Sequence, residues 1–279
     1  MIKQAKILDG KLLAEKIRQE LKQKIALLPT PPGLAAILVG DDEASKLYIK
    51  LKAKACEEVG ILFCPYLLPA TTTAKEVINV IQWLNQDYQI NGILVQLPLP
   101  GSLDEEKIIN EIVPIKEVDG FGKKNLIVLK KDQEIIVPGL AAAINDLIIA
   151  SGESVVGYQA LIVAKSKEFV QAVTKILTRQ SIIVHSILPS DKRISQVMLT
   201  ADIIITAVGK KNFIKPSMIK PGVIIIDVGI IKKGKAVFGD VAGGCWQKAG
   251  FISPVPGGVG PLTVANLLVN TYQLYLKQK

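Results

Sequence analysis

The fold is decided by the stretch from residue 34 to residue 68, which reads LAAILV (34–39), ASKLYIKLKAKACEEVG (44–60) and ILFCPYLL (61–68). The first segment is a continuous apolar run, which is typical of a buried parallel strand, and the last segment is predicted to be a second strand. The middle segment gathers its apolar residues on one side when it is plotted at about 100° per residue, which predicts an amphipathic helix. A strand, a helix and a strand in this order predict a parallel sheet covered by helices.

One residue of the helix at 44–60 does not fit this pattern. Lys52 falls near the middle of the apolar face, one turn after Tyr48. An ammonium group that turns inward has a lowered pKa, which suits a proton-transfer residue. The alternative is that the stem of Lys52 lies along apolar surface and its head reaches water. The predicted apolar face consists of Tyr48, Leu51, Ala55, Cys56 and Val59.

The same alternation of strands and helices continues along the chain. Its expected elements are a helix from Asp9 to about Leu28, a helix from the capping box Thr73–Glu76 to about Tyr88, the strand GILVQ (92–96), a helix from Asp104 to about Val113, a helix at 138–151, the strands ALIVA (160–164), IIVH (182–185), DIIITAV (202–208) and VIIIDV (223–228), and a last helix opened by Pro261.

We therefore predict an α/β fold of two domains. Residues 1–120 form an N-terminal catalytic domain around a parallel sheet, and residues 121–279 form a Rossmann-like, doubly wound domain. The last helix, at about 261–276, is expected to pack back on the first domain.

Composition narrows the classes of function. The chain has 279 residues, three widely spaced cysteines and one histidine, which argues against a disulfide framework and a His-rich metal centre and favours a reducing, cytoplasmic setting. Signal-peptide features and an apolar run of membrane-spanning length, ~18 residues, are both missing. No membrane partner is therefore expected. The net charge of +9 indicates either an anionic partner or simply a lysine-rich surface, and the scattered lysine pairs favour an anionic metabolite over nucleic acid as that partner.

Several residues follow predicted strands, where ligands of parallel sheets bind. Gln96 ends GILVQ and precedes Leu97 and Pro98, and Asp119 lies in VDGFG. The plain alternatives are a solvent-facing glutamine and an aspartate that supports a turn. The segment PVPGGVGP (254–261) is rich enough in glycine and proline for its backbone to approach a flat ligand closely.

Together these segments resemble the bifunctional methylenetetrahydrofolate dehydrogenase/methenyltetrahydrofolate cyclohydrolase family. The resemblance runs nearly end to end and is carried by Tyr48-x-x-x-Lys52 followed by KACEEVG, GILVQLPLP (92–100), VDGF (118–121), ADIIITAVGK (201–210), IIIDVGI (224–230), GDV (239–241) and PVPGGVGP (254–261).

The resemblance implies roles for these residues. It makes Lys52 the proton-transfer group of the cyclohydrolase step, facing a cleft between the domains, with Gln96 adjusting it. Tyr48 packs on the folate and Asp119 holds its pterin ring. Around them, the implied substrate-binding residues are Leu97, Pro98, Pro256, Gly257, Gly258, Pro261 and Thr263; the implied NADP-binding residues are Ala164, Lys165, Ser166, Val208, Gly209 and Ile230.

The cofactor side departs from the family pattern Gly-x-Ser-x-x-x-Gly-x-Pro. The aligned stretch is AKSKEFVQA (164–172), in which Ser166 alone matches. Val170 replaces a glycine, Glu168 adds a negative charge, and Ile187 and Leu188 stand where a basic residue suits a 2′-phosphate. We therefore expect weak NADP binding and weak dehydrogenase activity.

The resemblance predicts an enzyme of one-carbon folate metabolism that acts on a tetrahydrofolate derivative as a methenyltetrahydrofolate cyclohydrolase. It further implies NADP as cofactor, a homodimer and a link to purine biosynthesis. Two alternatives stay open at this point. One is a fully bifunctional enzyme with a rebuilt cofactor loop, and the other is a catalytically silent folate-binding protein.

Overall fold

The computed structural model describes residues 4–101, 103–234 and 236–279, which form two compact units. The small-sheet unit contains Glu15–Gly139 and Val264–Lys279; the large-sheet unit contains the described part of Met1–Ala14 and Leu140–Thr263. This division differs from a boundary at residue 120, because the chain as far as Gly139 belongs to the small-sheet unit and the first residues belong to the large-sheet unit.

Helices and strands alternate along most of the described chain. In chain order the elements are β1 (Lys6–Ile7), α1 (Gly10–Ile25), β2 (Gly33–Val39), α2 (Glu43–Val59), β3 (Leu62–Leu68), α3 (Ala74–Gln86), β4 (Gly92–Val95), α4 (Glu105–Ile109), α5 (Lys123–Lys130), α6 (Gly139–Ala150), β5 (Gln159–Ala164), α7 (Lys167–Thr178), β6 (Ile183–Ile187), α8 (Ile194–Met198), β7 (Ile203–Ala207), β8 (Ile224–Asp227), β9 (Ile231–Lys233), β10 (Ala236–Phe238), β11 (Phe251–Ile252) and α9 (Val259–Lys277).

The sheet of the small-sheet unit is parallel, in the order β3-β2-β4. Every residue of β2 is buried, because both faces of the strand are covered. Leu34, Ala36 and Leu38 share a core with the apolar face of α2, whereas Ala35 and Ile37 point into the core beneath α3. The prediction of a parallel sheet with helices on both faces is confirmed.

Helix α2 lies close to the bounds that the sequence predicts. Its N-cap residue Asp42 accepts a hydrogen bond from the backbone N–H of Ser45 at 2.7 Å, and Gly60 ends the helix in the left-handed conformation with φ 87°. The expectation that Leu51 lies on the apolar face is wrong, since this side chain is 48% exposed. The buried stripe instead follows steps of three and four residues through Ser45, Ile49, Lys52, Cys56 and Val59, with Lys52 half-buried among fully buried neighbours.

The other predicted helices appear with shifted ends. The capping box is present, because the Thr73 hydroxyl accepts from the Glu76 N–H and the Glu76 carboxylate accepts from the Thr73 N–H. Helices α1, α3 and α4 end earlier than expected, α6 and α9 also shift by a residue or two, and α5 is not predicted at all.

The sheet of the large-sheet unit is also parallel, in the order β1-β11-β8-β7-β5-β6. The predicted strands form its part from β8 to β6. Strands β1 and β11 extend the sheet although each has two residues, which is too short for a periodic pattern in the sequence. The antiparallel pair β9–β10 is likewise not predicted.

Two features are absent from the described residues, 4–101, 103–234 and 236–279. None of their helices is long and apolar enough to cross a membrane. No group of three or more His, Cys, Asp or Glu side chains within those same ranges is arranged to hold a metal ion.

Candidate functional sites

The strand order predicts a crevice at the carboxyl edge of the sheet in each unit. In a parallel sheet such a crevice forms between neighbouring strands whose following connections leave in opposite directions. The strand orders place one between β2 and β4 and another between β5 and β7. The residues singled out in the sequence follow these strands.

The first site is built on the pair Lys52 and Gln96. The Lys52 Nζ donates a hydrogen bond to Gln96 Oε1 at 2.8 Å, and Gln96 Nε2 donates to the carbonyl oxygen of Leu97 at 2.7 Å. The second bond fixes the amide so that its oxygen faces the lysine. Gln96 is 8% exposed, so the amide does not face solvent as the plain alternative supposes.

The pKa of Lys52 lies below the ordinary value for a lysine. Burial lowers the pKa, and the negative charge of Asp119, followed by Cys56, opposes this effect without cancelling it. Burial also raises the pKa of Asp119, with Lys52 opposing, and raises the pKa of the Cys56 thiol to about 12. The site therefore holds an amine with an increased neutral fraction beside a carboxyl group, as proton transfer requires.

The loop that carries Asp119 is held by buried polar groups. Lys116 and Val118 pair through their backbones with Ile93 of β4, so the segment lies alongside that strand. The Glu117 carboxylate accepts the N–H groups of Gly120 and Gly122 at 2.9 and 3.1 Å. Burial raises the pKa of Glu117.

Two further side chains complete this support. Asn125 donates to the Glu117 carboxylate at 2.8 Å, and the Lys116 ammonium donates to the carbonyl oxygens of Leu84 and Asp87 at 3.0 and 2.7 Å. Sequence reasoning misses Lys116, Glu117 and Asn125. The available signal is a pair of adjacent charges immediately before Val118 and Asp119.

The other predicted residues of this unit lie around the pair. Tyr48 is half-buried on α2, one helical turn before Lys52. Leu97 is 40% exposed, Pro98 is also exposed, and the peptide bond between them is cis. Apolar and aromatic surface is thus available next to the lysine.

The glycine-rich loop belongs to the large-sheet unit, where it packs against the start of α1. The Lys11 N–H donates to the carbonyl oxygen of Gly257 at 3.1 Å. A Cβ atom on Gly10 would overlap the carbonyl oxygen of Gly258, and Gly257 has φ 113°. These glycines are required by close backbone contact and by backbone conformation.

Beyond this loop, α9 begins earlier than expected. Pro256 is exposed, whereas Pro261 lies inside the first turn of the helix, which starts at Val259. The Thr263 hydroxyl donates to the carbonyl oxygen of Val259 at 3.1 Å. Thr263 therefore has a partner within its own helix.

The second site lies at the crevice between β5 and β7. Ala164 ends β5 and is followed by the exposed Lys165 and Ser166; Val208 and the exposed Gly209 follow β7. Ile230 lies beyond β8 and is 50% exposed. The predicted cofactor residues thus follow three adjacent strands of one sheet edge.

A buried carboxylate shapes the turn after β7. Asp240 is fully buried and accepts hydrogen bonds, all at 2.8 Å, from the Thr206 hydroxyl and from the N–H groups of Val208 and Lys210. Asp227, at the end of β8, accepts the N–H of Asp240 at 3.0 Å, and burial raises the pKa of Asp227 to about 6. In the sequence these aspartates stand out only as parts of the motifs IIIDVGI (224–230) and GDV (239–241).

A cavity of about 500 Å³ opens beyond β6. His185, Ile187 and Leu188 line it, and so do Asp191 and Arg193. The Arg193 guanidinium bonds the Asp191 carboxylate at 2.8 Å and holds the pKa of that carboxyl at about 2. No basic residue follows Ser186 directly in the sequence, but Arg193, which lies between β6 and α8, lines this cavity.

Comparison with known proteins identifies both units. The family model for the catalytic domain of tetrahydrofolate dehydrogenase/cyclohydrolase matches residues 8–119, and the model for its NAD(P)-binding domain matches residues 138–279. The chain belongs to the tetrahydrofolate dehydrogenase/cyclohydrolase family. The predicted family, fold class and enzyme of one-carbon folate metabolism are confirmed.

Relatives match over nearly the whole length. The chain is 42% identical to the bifunctional protein FolD of Acetivibrio thermocellus, with 96% of each chain covered. It resembles the structure of the bifunctional FolD dehydrogenase/cyclohydrolase of Campylobacter jejuni with a TM-score of 0.94 at 37% identity, covering 99% of this chain and 100% of that one. The Trypanosoma brucei enzyme, described as complexed with NADP and an inhibitor, gives a TM-score of 0.92 at 29% identity, with 99% and 98% covered.

The large-sheet unit fits the NADP that this family implies in most respects. The carboxyl edge between β5 and β7 is where dinucleotides bind, Gly209 has open space around it, and the exposed Lys165 supplies positive charge, whereas Arg193 is paired with Asp191. The turn between β5 and α7 is the exception, because its helix start already carries the carboxylate of Glu168.

Proposed function

We propose that the small-sheet unit hydrolyses 5,10-methenyltetrahydrofolate to 10-formyltetrahydrofolate, with Lys52 as the proton-transfer residue. The observation that carries this proposal is the 2.8 Å hydrogen bond between Lys52 and the buried, oriented amide of Gln96. Because burial lowers the pKa of Lys52, more of the amine is neutral near neutral pH than in an ordinary lysine.

The reaction needs one base that later acts as an acid. Water adds to the methenyl carbon and gives one proton to the neutral Lys52 amine. The bond from this carbon to N5 then breaks while the Lys52 ammonium returns the proton to N5. The new hydroxyl loses its proton to water, which leaves the formyl group on N10 and releases one proton overall.

The neighbouring residues position lysine and substrate. Gln96 holds the amine in place, since its own amide is fixed by Leu97. Asp119 accepts hydrogen bonds from the pterin ring, and Tyr48 packs on the folate. Leu97 and Pro98 offer apolar surface, whereas the loop 254–261 and Thr263 of the large-sheet unit are substrate-binding residues by family resemblance alone. The support for the roles in the small-sheet unit is the position of each residue within that unit together with the family match.

The test replaces Lys52 by methionine, which keeps the length of the side chain and removes the amine. Lys52→Met should abolish the hydrolysis of methenyltetrahydrofolate, followed by absorbance, while thermal unfolding stays cooperative. Lys54→Met is the matched control, because Lys54 is exposed on the same helix. Hydrolysis at the wild-type rate by a folded Lys52→Met protein would overturn the assignment.

We also propose NADP-dependent oxidation of methylenetetrahydrofolate by the same chain. NADP, when bound, is the acceptor of the hydride from the methylene carbon. Ser166, Lys165 and Gly209 would hold its phosphates, and Arg193 would pair with the 2′-phosphate on leaving Asp191; the support is that these residues, with Val208 and Ile230, follow β5, β6, β7 and β8. Calorimetric titration with NADP beside an oxidation assay tests this, and the absence of both binding and turnover would refute it.

We further propose that the enzyme is a cytoplasmic homodimer that supplies formyl groups for purine biosynthesis. The support is the family resemblance and the three free thiols, Cys56, Cys64 and Cys245, which suit a reducing compartment. Light scattering on the purified protein should give twice the chain mass of 30.1 kDa, and a monomer mass would refute the dimer.

A further inference from the structure

The turn at the start of α7 differs from the glycine-rich turn of an ordinary dinucleotide-binding site. The helix follows β5 directly, at the sheet edge between β5 and β7, so its first N–H groups lie at the kind of helix start that binds dinucleotide phosphates. Such turns ordinarily contain glycines that let backbone approach the phosphates, but residues 164–172 contain none.

The chain supplies its own acceptors for these N–H groups. Ser166 is the N-cap, and its hydroxyl oxygen accepts the Phe169 N–H at 3.1 Å. The same hydroxyl donates to the Glu168 carboxylate at 2.9 Å. The pKa of Glu168 is lowered first by a hydrogen bond from its own backbone N–H and then by Ser166. A carboxylate thus lies at the helix start, as a phosphate oxygen would.

We propose that Glu168 is an internal competitor of the cofactor phosphate, and that its carboxylate must leave the start of α7 before NADP or NAD binds. This inference rests on the proposed function of the large-sheet unit as a dinucleotide-binding unit. The competition has two parts. The Glu168 carboxylate accepts hydrogen bonds from its own backbone N–H and from the Ser166 hydroxyl, and its negative charge repels the phosphates.

The consequence is an imbalance between the two activities. Cyclohydrolase chemistry requires no dinucleotide, so Glu168 leaves it unchanged. Dehydrogenase activity requires a bound cofactor, so the competing carboxylate raises the cofactor concentration that is needed. Lys165 and Lys167 are exposed beside Ser166 and keep the site attractive for phosphate once the carboxylate has moved.

The test is Glu168→Gln in the full chain. Glutamine keeps the shape of the side chain and can still accept a hydrogen bond, but it removes the charge. Calorimetric titration should show NADP and NAD binding tightened by at least about fivefold, as expected for one charge removed within a helical turn of a phosphate. The gain should shrink at high salt, since the side chain is exposed and the interaction is screened.

The matched control is Glu153→Gln. Glu153 is also exposed in the large-sheet unit, but it precedes β5 and so lies towards the opposite edge of the sheet. This control should bind both cofactors like the wild type. Glu168→Ala, which removes the acceptor as well as the charge, should tighten binding at least as much, and thermal unfolding establishes that each variant is folded.

The outcomes separate this inference from the proposed function. Equal cofactor affinities for wild type, Glu168→Gln and Glu153→Gln, with measurable binding, would overturn the competition and leave the dehydrogenase proposal standing. No binding by any folded variant would overturn both. The hydrolysis assay, which uses no dinucleotide, then shows whether the cyclohydrolase proposal survives.

Discussion

Lys52 and Lys54 show how strongly two lysines of one helix differ once the chain has folded. Lys54 is exposed, whereas the ammonium of Lys52 is held by Gln96 in the line of buried residues on α2. The alternative in which the head of Lys52 reaches out to water therefore does not describe this structure. The lowered pKa follows from that position, because burial penalises the charged form.

Replacement of Asp119 tests the electrostatic coupling. The negative charge of Asp119 raises the pKa of Lys52, so Asp119→Asn should lower that pKa further. Because the neutral amine starts the reaction, the rising limb of the pH–kcat profile should move to lower pH. KM for the folate should increase as well, since a hydrogen-bond acceptor for the pterin is lost.

The control for this experiment is Glu57→Gln, which removes one exposed negative charge from the same helix. Its pH profile should match that of the wild type. If the rising limb of the pH–kcat profile of Asp119→Asn stays in place or moves to higher pH, the electrostatic coupling between Asp119 and Lys52 is contradicted.

At the scale of elements, the short turns after strands decide where ligand groups can bind. The turn after β7 illustrates this, because the buried carboxylate of Asp240 orders both Val208 and Lys210. The sequence shows an aspartate in GDV, but it does not show which groups this carboxylate contacts. In the structure the carboxylate accepts the N–H of Lys210, which lies thirty residues earlier in the chain. Folding alone brings the two together.

Asp240→Asn should destabilise the protein. An amide cannot accept hydrogen bonds on both sides, so at least one buried donor loses its partner at a cost of about 1–3 kcal/mol. Urea unfolding should show this loss, together with weaker NADP binding, because Gly209 lies in the affected turn. Glu153→Gln, which makes the same chemical change at an exposed position, should leave the urea midpoint unchanged. Unaltered stability of Asp240→Asn would refute the role of this carboxylate.

At the scale of the whole molecule, the net charge of +9 attracts anionic ligands to the protein. The lysine pairs are scattered along the chain, with Lys123–Lys124 at the start of α5, Lys130–Lys131 at its end and Lys210–Lys211 after β7. A nucleic-acid-binding protein usually presents a continuous basic stripe or patch. This distribution favours small anionic ligands such as folates and dinucleotides.

We therefore expect no tight binding of short duplex or single-stranded oligonucleotides at physiological salt. Fluorescence anisotropy with labelled oligonucleotides measures this directly. Binding at low salt alone would reflect the net charge and agree with the expectation. Tight binding at physiological salt that survives an excess of folate would contradict it.

The sequence by itself determined the alternation of strands and helices, the parallel sheets and the family, because these follow from local apolar periodicity and from motifs that are contiguous in the chain. It also marked Lys52, Gln96 and Asp119. Only the tertiary structure decided what each group contacts: the Glu117 carboxylate under the Asp119 loop, Arg193 in the cavity beyond β6, and the two-residue strands β1 and β11. The physical reason is that burial and hydrogen-bond partners come from residues far apart in the chain, and a pKa shift depends on both.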